Sequence, residues 1–399
     1  MFLSVFVLGL IAGARAEARG YKVLHGFTAG KDGGGVYGNV IQDRDGNLYG
    51  TTTGGGEYNA GVVFELALSS GGKWGEAVLH SFCSQPHCAD GGGSVNGLTV
   101  DATGKLYGAA GGGPNNSGVA FELTRESESP AGWTYTVIYN SGSSGSLVMD
   151  NAGDLYGEWG PGKYGKGDVF ELMPGVGGWT EKVLYSFCPH LPNCNDGVLP
   201  GYGLTWDAAG NLYGVTTEGG VNKAGVAFKL ERIAGGWKEH VLHSFPASPS
   251  DGYNFFAGLA LDRSGNVYGT TLQGGRIGAG TVFELSLQQD GHWKETILYD
   301  FPNASHDGGG PAAGLVLDQS GNLYGTASGG GDSHCSCGVV FKMTPGSNGK
   351  WSYTVLHRFT GTDGYSPQAS LTLDSKGNIY GTTTEGGPGG YGVVFEITP

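Results

Sequence analysis

Charge is scarce in this chain. Only 15% of its 399 residues are Asp, Glu, Lys or Arg, and the balance is acidic: 22 Lys and Arg against 36 Asp and Glu, net −14. A phosphate backbone needs a basic stripe, so nucleic acid is not an expected partner. Polyanionic substrates are disfavoured too, unless a cation bridges them. There is no run of like charge and no Pro-rich linker. No stretch sustains the apolar period of a helix. Gly-x-Ser-x-Gly, His-Glu-x-x-His and a phosphate-binding loop are missing, which leaves serine hydrolase, zincin and nucleotide chemistry without support. Long apolar runs are missing as well, except at Met1 to Ala12, which is followed by Gly13-Ala14-Arg15-Ala16. That run is shorter than the roughly 20 residues that span a bilayer. Its small-residue end fits a cleaved signal over 1–16, leaving 17–399 as one soluble, secreted or extracytoplasmic domain.

Cysteine is sparse, six residues in three local groups: Cys83 with Cys88, Cys188 with Cys194, and Cys335 with Cys337. In an exported chain disulfides are the default. The first two pairs close short loops, whereas Cys335-Ser336-Cys337 looks too tight to pair comfortably. A His accompanies each group, at His87, His190 and His334. Zinc is therefore an alternative, although structural zinc sites gather four ligands at one place.

What is plentiful is glycine, 80 residues against a usual share of roughly 7%. The glycines have no three-residue period and punctuate apolar runs instead. One stretch recurs seven times: Asp-x-x-Gly-Asn-Leu-Tyr-Gly, plainest at Asp318 to Gly325. The copies begin at Asp43, Asp101, Asp150, Asp207, Asp262, Asp318 and Asp374, and their tyrosines lie between 49 and 58 residues apart. Such a period with strand-like content indicates an array of small sheets. Each unit reads as four strands. In the first unit these are Val36 to Asp43, Leu48 to Thr53, Val62 to Leu66 and Trp74 to Phe82. The last unit stops after three strands, and the missing fourth is left over at Tyr21 to Phe27. Pairing the two ends closes a ring and removes the exposed edges. The expected fold is all-β, a seven-bladed β-propeller.

The units Asn-Leu-Tyr-Gly-Thr-Thr, Gly-x-Val-Phe-Glu-Leu and Trp-x-x-x-Val-Leu-x-Ser-Phe resemble the Gloeo/Verruco (GloVer) tandem repeat of exported bacterial proteins, over nearly all of residues 21 to 399. The resemblance implies an extracytoplasmic protein, often one tethered by a C-terminal segment, which is not read after the last strand here. It brings no activity and no catalytic residues.

In a propeller the first strand of each blade lines the channel and the fourth is outermost. The Asp-x-x-Gly turns then occupy one face and read as structure. The longer loops occupy the other, where sites usually sit. Asp-Gly recurs on that loop face at Asp32, Asp90, Asp196, Asp251, Asp307 and Asp363. These are turn residues or, on a sharper reading, a ring of carboxylates at the channel mouth that binds sugar hydroxyls or a cation. No cofactor is expected, with Ca2+ the alternative, held by the carboxylates of the Asp-x-x-Gly turns. The histidines His25, His80, His243 and His357 share one outer-strand position with Tyr139, Tyr185 and Tyr299, a pattern that indicates packing and not a ligand set.

The third blade breaks the rules. Its lead-in, Asn140 to Gly145, lacks Asp-Gly; Glu158-Trp159 replaces Thr-Thr; Asp168 replaces Val or Thr; and Tyr164 lies between them. Departures from a repeat point to function where packing would prefer the consensus. Here Glu158 and Asp168 are the candidate catalytic carboxylates of a glycan-cleaving enzyme, in a notch with Trp159 as platform and Tyr164 beside it. A degenerate blade with solvated charges is the plainer reading. Tyr202, Tyr253 and Phe256, with Asp90 and Asp196, complete the candidate binding set. Three functions result, in this order: a monomeric exported module that binds a neutral glycan or cell-envelope partner, a glycan-cleaving enzyme, or a structural and protein-interaction scaffold.

Overall fold

The computed structural model describes residues 20–398 apart from 95, 115–116, 127–131, 141–144, 161, 246–250, 303–305 and 348. The expected signal and most of the third blade's lead-in lie outside the described residues. Seven antiparallel sheets form a ring, each ordered from a short innermost strand to a long outer one. In the last blade Thr372–Leu373, Ile379–Thr383 and Val393–Thr398 are completed by Gly20–Gly26 from the other end of the chain. Tyr21 opposes Ile397 and Gly26 opposes Val393, with a bulge between Val23 and His25. The innermost strands are shorter than expected. In the first blade only Ile41–Gln42 pairs as strand.

The repeated letters have separable physical jobs. The second and third strands are packed between neighbouring blades, so they are buried on both faces, as in Leu48–Thr51 and Val62–Leu68. This is why they read as near-continuous apolar runs. Outer strands alternate, as in Trp74–Ser81. The Gly of Tyr-Gly is required by close approach: a Cβ on Gly325 would lie 2.6 Å from the Phe341 ring. The ring thus covers the glycine backbone and fills the space a side chain would take. The preceding Tyr packs edge-on against the Trp of the next blade's outer strand, at 6.0 Å for Tyr49 and Trp133 and 5.9 Å for Tyr268 and Trp351.

The Asp turn is one hydrogen-bonded unit. Asp318 accepts from the backbone N–H of Ser320 at 2.8 Å and Asn322 at 3.0 Å, from Asn322 Nδ2 at 2.6 Å and from Tyr324 OH at 3.0 Å. Gly321 supplies the positive φ, 79°, that other residues adopt only with strain. Burial pushes the Asp318 carboxyl up, but hydrogen bonds from Asn322, Tyr324 and Ser320 outweigh it and hold it below the usual range. Each outer strand carries a bulge where it meets the third strand, as between Val63 and Phe64. A bulge re-aims the side chain that follows it.

Candidate functional site

The lead-in segments converge on the axis at the loop face. There they enclose a cavity of about 340 Å³. Every blade contributes, because each short innermost strand begins beside the channel. The aromatics are Tyr37, Tyr202 and Phe256. Tyr37 is 40% and Phe256 45% exposed. Tyr202 meets Phe256 at 5.4 Å in a tilted contact. Between them stand Asn39, Asn96, Gln368 and the hydroxyls of Ser146 and Ser370, with small Gly and Ala residues filling the rim. Among the described residues no charged side chain lines this mouth, although the chain carries a net charge of −14. Apolar rings beside neutral donors and acceptors can stack on a sugar face and pair with its hydroxyls.

The other candidates lie elsewhere. Asp90 is fully buried at a seam between blades, where it accepts from Ser84 Oγ at 2.7 Å and Ser84 N at 2.9 Å and pairs with His80 Nε2 at 3.0 Å. Burial pushes its carboxyl up, but hydrogen bonds from Ser84 and Gln85 hold it below the usual range. Asp196 accepts from Tyr185 OH at 2.8 Å and Cys188 N at 2.9 Å. The Asp-Gly carboxylates therefore do not ring the channel mouth. Asp90, Asp196 and Asp363 are drawn outward to His80, Tyr185 and His357 of the preceding outer strand. Tyr253 sits in a two-residue strand, Gly252–Tyr253, against Gln273–Gly274. It does not line the mouth.

The third blade does not form the expected pair of facing carboxylates. Trp159 opposes Asp168 and Glu158 opposes Val169 in the register of neighbouring strands. Side chains alternate faces along a strand, so Glu158 and Asp168 point to opposite sides of the sheet. Glu158 faces the fourth blade, 1% exposed, and accepts from Gly203 N at 2.9 Å. It stands where Thr51, Thr270 and Thr382 donate to a carbonyl of the next blade, at 2.9, 2.8 and 3.1 Å. Burial pushes its carboxyl up to about 8, against the opposing Gly203 hydrogen bond. Asp168 is buried and accepts from Lys163 N at 3.1 Å. Trp159 is no open platform: it is 5% exposed and stacks on Phe170 at 3.8 Å and Tyr139 at 5.5 Å. Tyr164 is half-buried, with Lys163 Nζ 5.1 Å above its ring.

The cysteines form three local disulfides, Cys83–Cys88, Cys188–Cys194 and Cys335–Cys337. The tight third pair does close, and none of the six is a free thiol. The groups with His87, His190 and His334 therefore have no thiolate to offer zinc. The neutral amides and hydroxyls of the mouth carry no signal of their own in the sequence. Only their common position, just ahead of the innermost strand in each blade, could have grouped them.

A sequence profile described as the Gloeobacter/Verrucomicrobia repeat matches residues 9–200 and again 200–399. Among curated proteins none matches. Among solved structures, the extracellular domain of a putative hybrid two-component system from B. thetaiotaomicron is similar at TM-score 0.56 and 12% identity. The match covers 94% of this chain and 39% of that one, so this chain spans about two fifths of its neighbour. A putative oxidoreductase (glucose dehydrogenase) from Thermus thermophilus aligns at TM-score 0.44 and 11% identity, over 95% of this chain and 99% of that one. At 12% identity the likeness to the first of these is one of fold.

Proposed function

We propose that this chain, which belongs to the Gloeobacter/Verrucomicrobia repeat family, is an exported propeller that binds a neutral glycan, free or in the cell envelope, at its axial mouth. The observation that carries the reading is the lining of that mouth: two exposed aromatics and one half-buried, amides and hydroxyls, and no charge among the described residues. Binding sites are concave and mostly apolar, with a few placed polar groups, and the mouth has that character. Export is supported by the three disulfides, which persist in oxidising compartments. Among the described residues no helix is long and apolar enough to cross a membrane. The protein acts as a monomer in this reading, since the mouth draws on all seven blades of one chain.

A glycosidase would need two carboxyls flanking one bond, about 5 to 9.5 Å apart. Glu158 and Asp168 on opposite faces of one sheet weigh against that reading. A panel of neutral oligosaccharides on an array, followed by product analysis in solution, separates the alternatives. Retention of at least one neutral glycan without cleavage is expected. Release of reducing sugar would favour the enzyme, and an array without a single hit would favour the scaffold.

A further inference from the structure

The bulge in each outer strand sends the residue after it into the seam with the next blade. There it meets the Asp of the lead-in and the third residue or so of the following outer strand. At two seams the set is His, Asp and Tyr. His80 and Tyr135 stack at 3.8 Å, and His357 and Tyr21 at 3.7 Å. In both, His Nε2 lies 3.0 Å from the Asp carboxylate, Asp90 or Asp363. In both, the Tyr OH donates to the backbone carbonyl of that same Asp at 2.6 Å. Every polar group named is satisfied.

The seam between the fourth and fifth blades differs by one letter, Glu295 in place of Tyr. The aromatic stack is gone and the set has opened. His243 Nε2 lies 3.9 Å from Asp251 Oδ2 and 3.5 Å from Glu295 Oε2. His243 Nε2 and Glu295 Oε1 are withdrawn from solvent without a hydrogen-bond partner. One donor atom from each of the three residues lies within 4.8 Å of the others. Buried polar atoms in a folded protein normally have partners, and here one imidazole nitrogen and one carboxylate oxygen, side by side, have none.

We propose that His243, Asp251 and Glu295 form a three-ligand zinc site at the outer seam of the fourth and fifth blades, of the open kind that keeps one position for water. Imidazole nitrogen and carboxylate oxygen ligate Zn2+ at about 2.0 to 2.2 Å, which places tetrahedral ligands roughly 3.4 Å apart. The observed separations need only a small inward movement of side chains. Two carboxylates balance the charge of the ion, and water takes the fourth position. Ca2+ takes 6 to 8 oxygen ligands, and a set with an imidazole does not suit it. His25, Asp32 and Glu76 repeat the residue types at the first seam, and His25 Nε2 and Glu76 Oε1 are likewise without hydrogen-bond partners; among the described residues it is the gathering of three donor atoms within 4.8 Å that sets His243, Asp251 and Glu295 apart. One ion per chain follows.

Calorimetric titration of the chelator-stripped full chain with Zn2+ near neutral pH, and separately with Ca2+, tests the site. The wild type is expected to bind one Zn2+ and to melt at a higher temperature with it. Glu295→Tyr and His243→Tyr should each weaken binding by about 100-fold or more. Both copy seams already present in the ring, those of His80 with Tyr135 and of Tyr185 with Glu239, so the fold has precedent for each. Zn2+ binding unchanged in both variants, no saturable Zn2+ binding by the wild type, or a preference for Ca2+ would each overturn the assignment.

Discussion

The two faces of the ring use the same repeat in opposite ways. On the turn face, Asp43, Asp207, Asp262, Asp318 and Asp374 each accept from the backbone and side-chain amide of an Asn four residues on. Their hydrogen-bonding capacity is spent inside the turn. On the loop face the residue that reaches the axis changes from blade to blade: Tyr37, Asn96, Ser146, Tyr202, Phe256, Ala313, Gln368. Of these, Tyr37 and Phe256 are exposed, Asn96, Ser146, Tyr202 and Gln368 half-buried, and Ala313 buried. Repetition in this chain marks atoms already engaged, and variation near the axis marks atoms still available.

That contrast can be broken most severely in the shared core. Phe341→Ala removes a fully buried ring that covers Gly325. A loss of about 3–5 kcal/mol is expected, read by thermal or denaturant unfolding. Glu158 sharpens the contrast on the loop-face side. Its folded carboxyl titrates near 8, above the roughly 4.5 expected when unfolded. A raised folded value means its contribution is fully present below about 4.5 and is lost as pH climbs toward 8. Wild-type stability should therefore fall across that window by an amount on the order of a few kcal/mol. Glu158→Gln should flatten the part of the slope that Glu158 causes, as unfolding curves at several pH values would record. Asp318→Ala strips the acceptor from one turn, at a cost of about 1–3 kcal/mol. Chemical denaturation measures that cost, and glycan binding by the folded protein should be unaffected. The smallest effect on stability belongs to Tyr202→Ala, which removes a half-buried ring packed beside Phe256 and should lower the melting temperature modestly while weakening glycan binding by about tenfold.

The fold was legible because its devices are local. The Asp turn, the Tyr-Gly under a Phe, and a strand at Tyr21 to Phe27 matching the one missing after Val393–Thr398 are all visible as letters. Tyr202 and Phe256 were legible as accessible aromatics, and both line the mouth. The third blade misled because residue type was legible and facing was not. Glu158 and Asp168 are separated by the alternation of a strand whose register with its neighbour had to be known to one residue. Trp159 was read as exposed where it fills the space between Tyr139 and Phe170. At the outer-strand position that His243 and Tyr299 share, Tyr299 packs by stacking on Tyr353, whereas His243 approaches Glu295. What that position faces, Glu295 or Tyr353 from the next blade, depends on contacts between units that no single repeat displays.

The most direct test of the account compares glycan binding after damage to each face. Isothermal titration with a neutral oligosaccharide retained on the array would be run on wild type, Tyr202→Ala, Phe256→Ala and folded Asp318→Ala. The account expects both loop-face variants to lose about tenfold in affinity and the turn-face variant to match wild type. Undiminished binding in Tyr202→Ala and Phe256→Ala, with binding lost in folded Asp318→Ala, would contradict it and move the site to the other end of the channel.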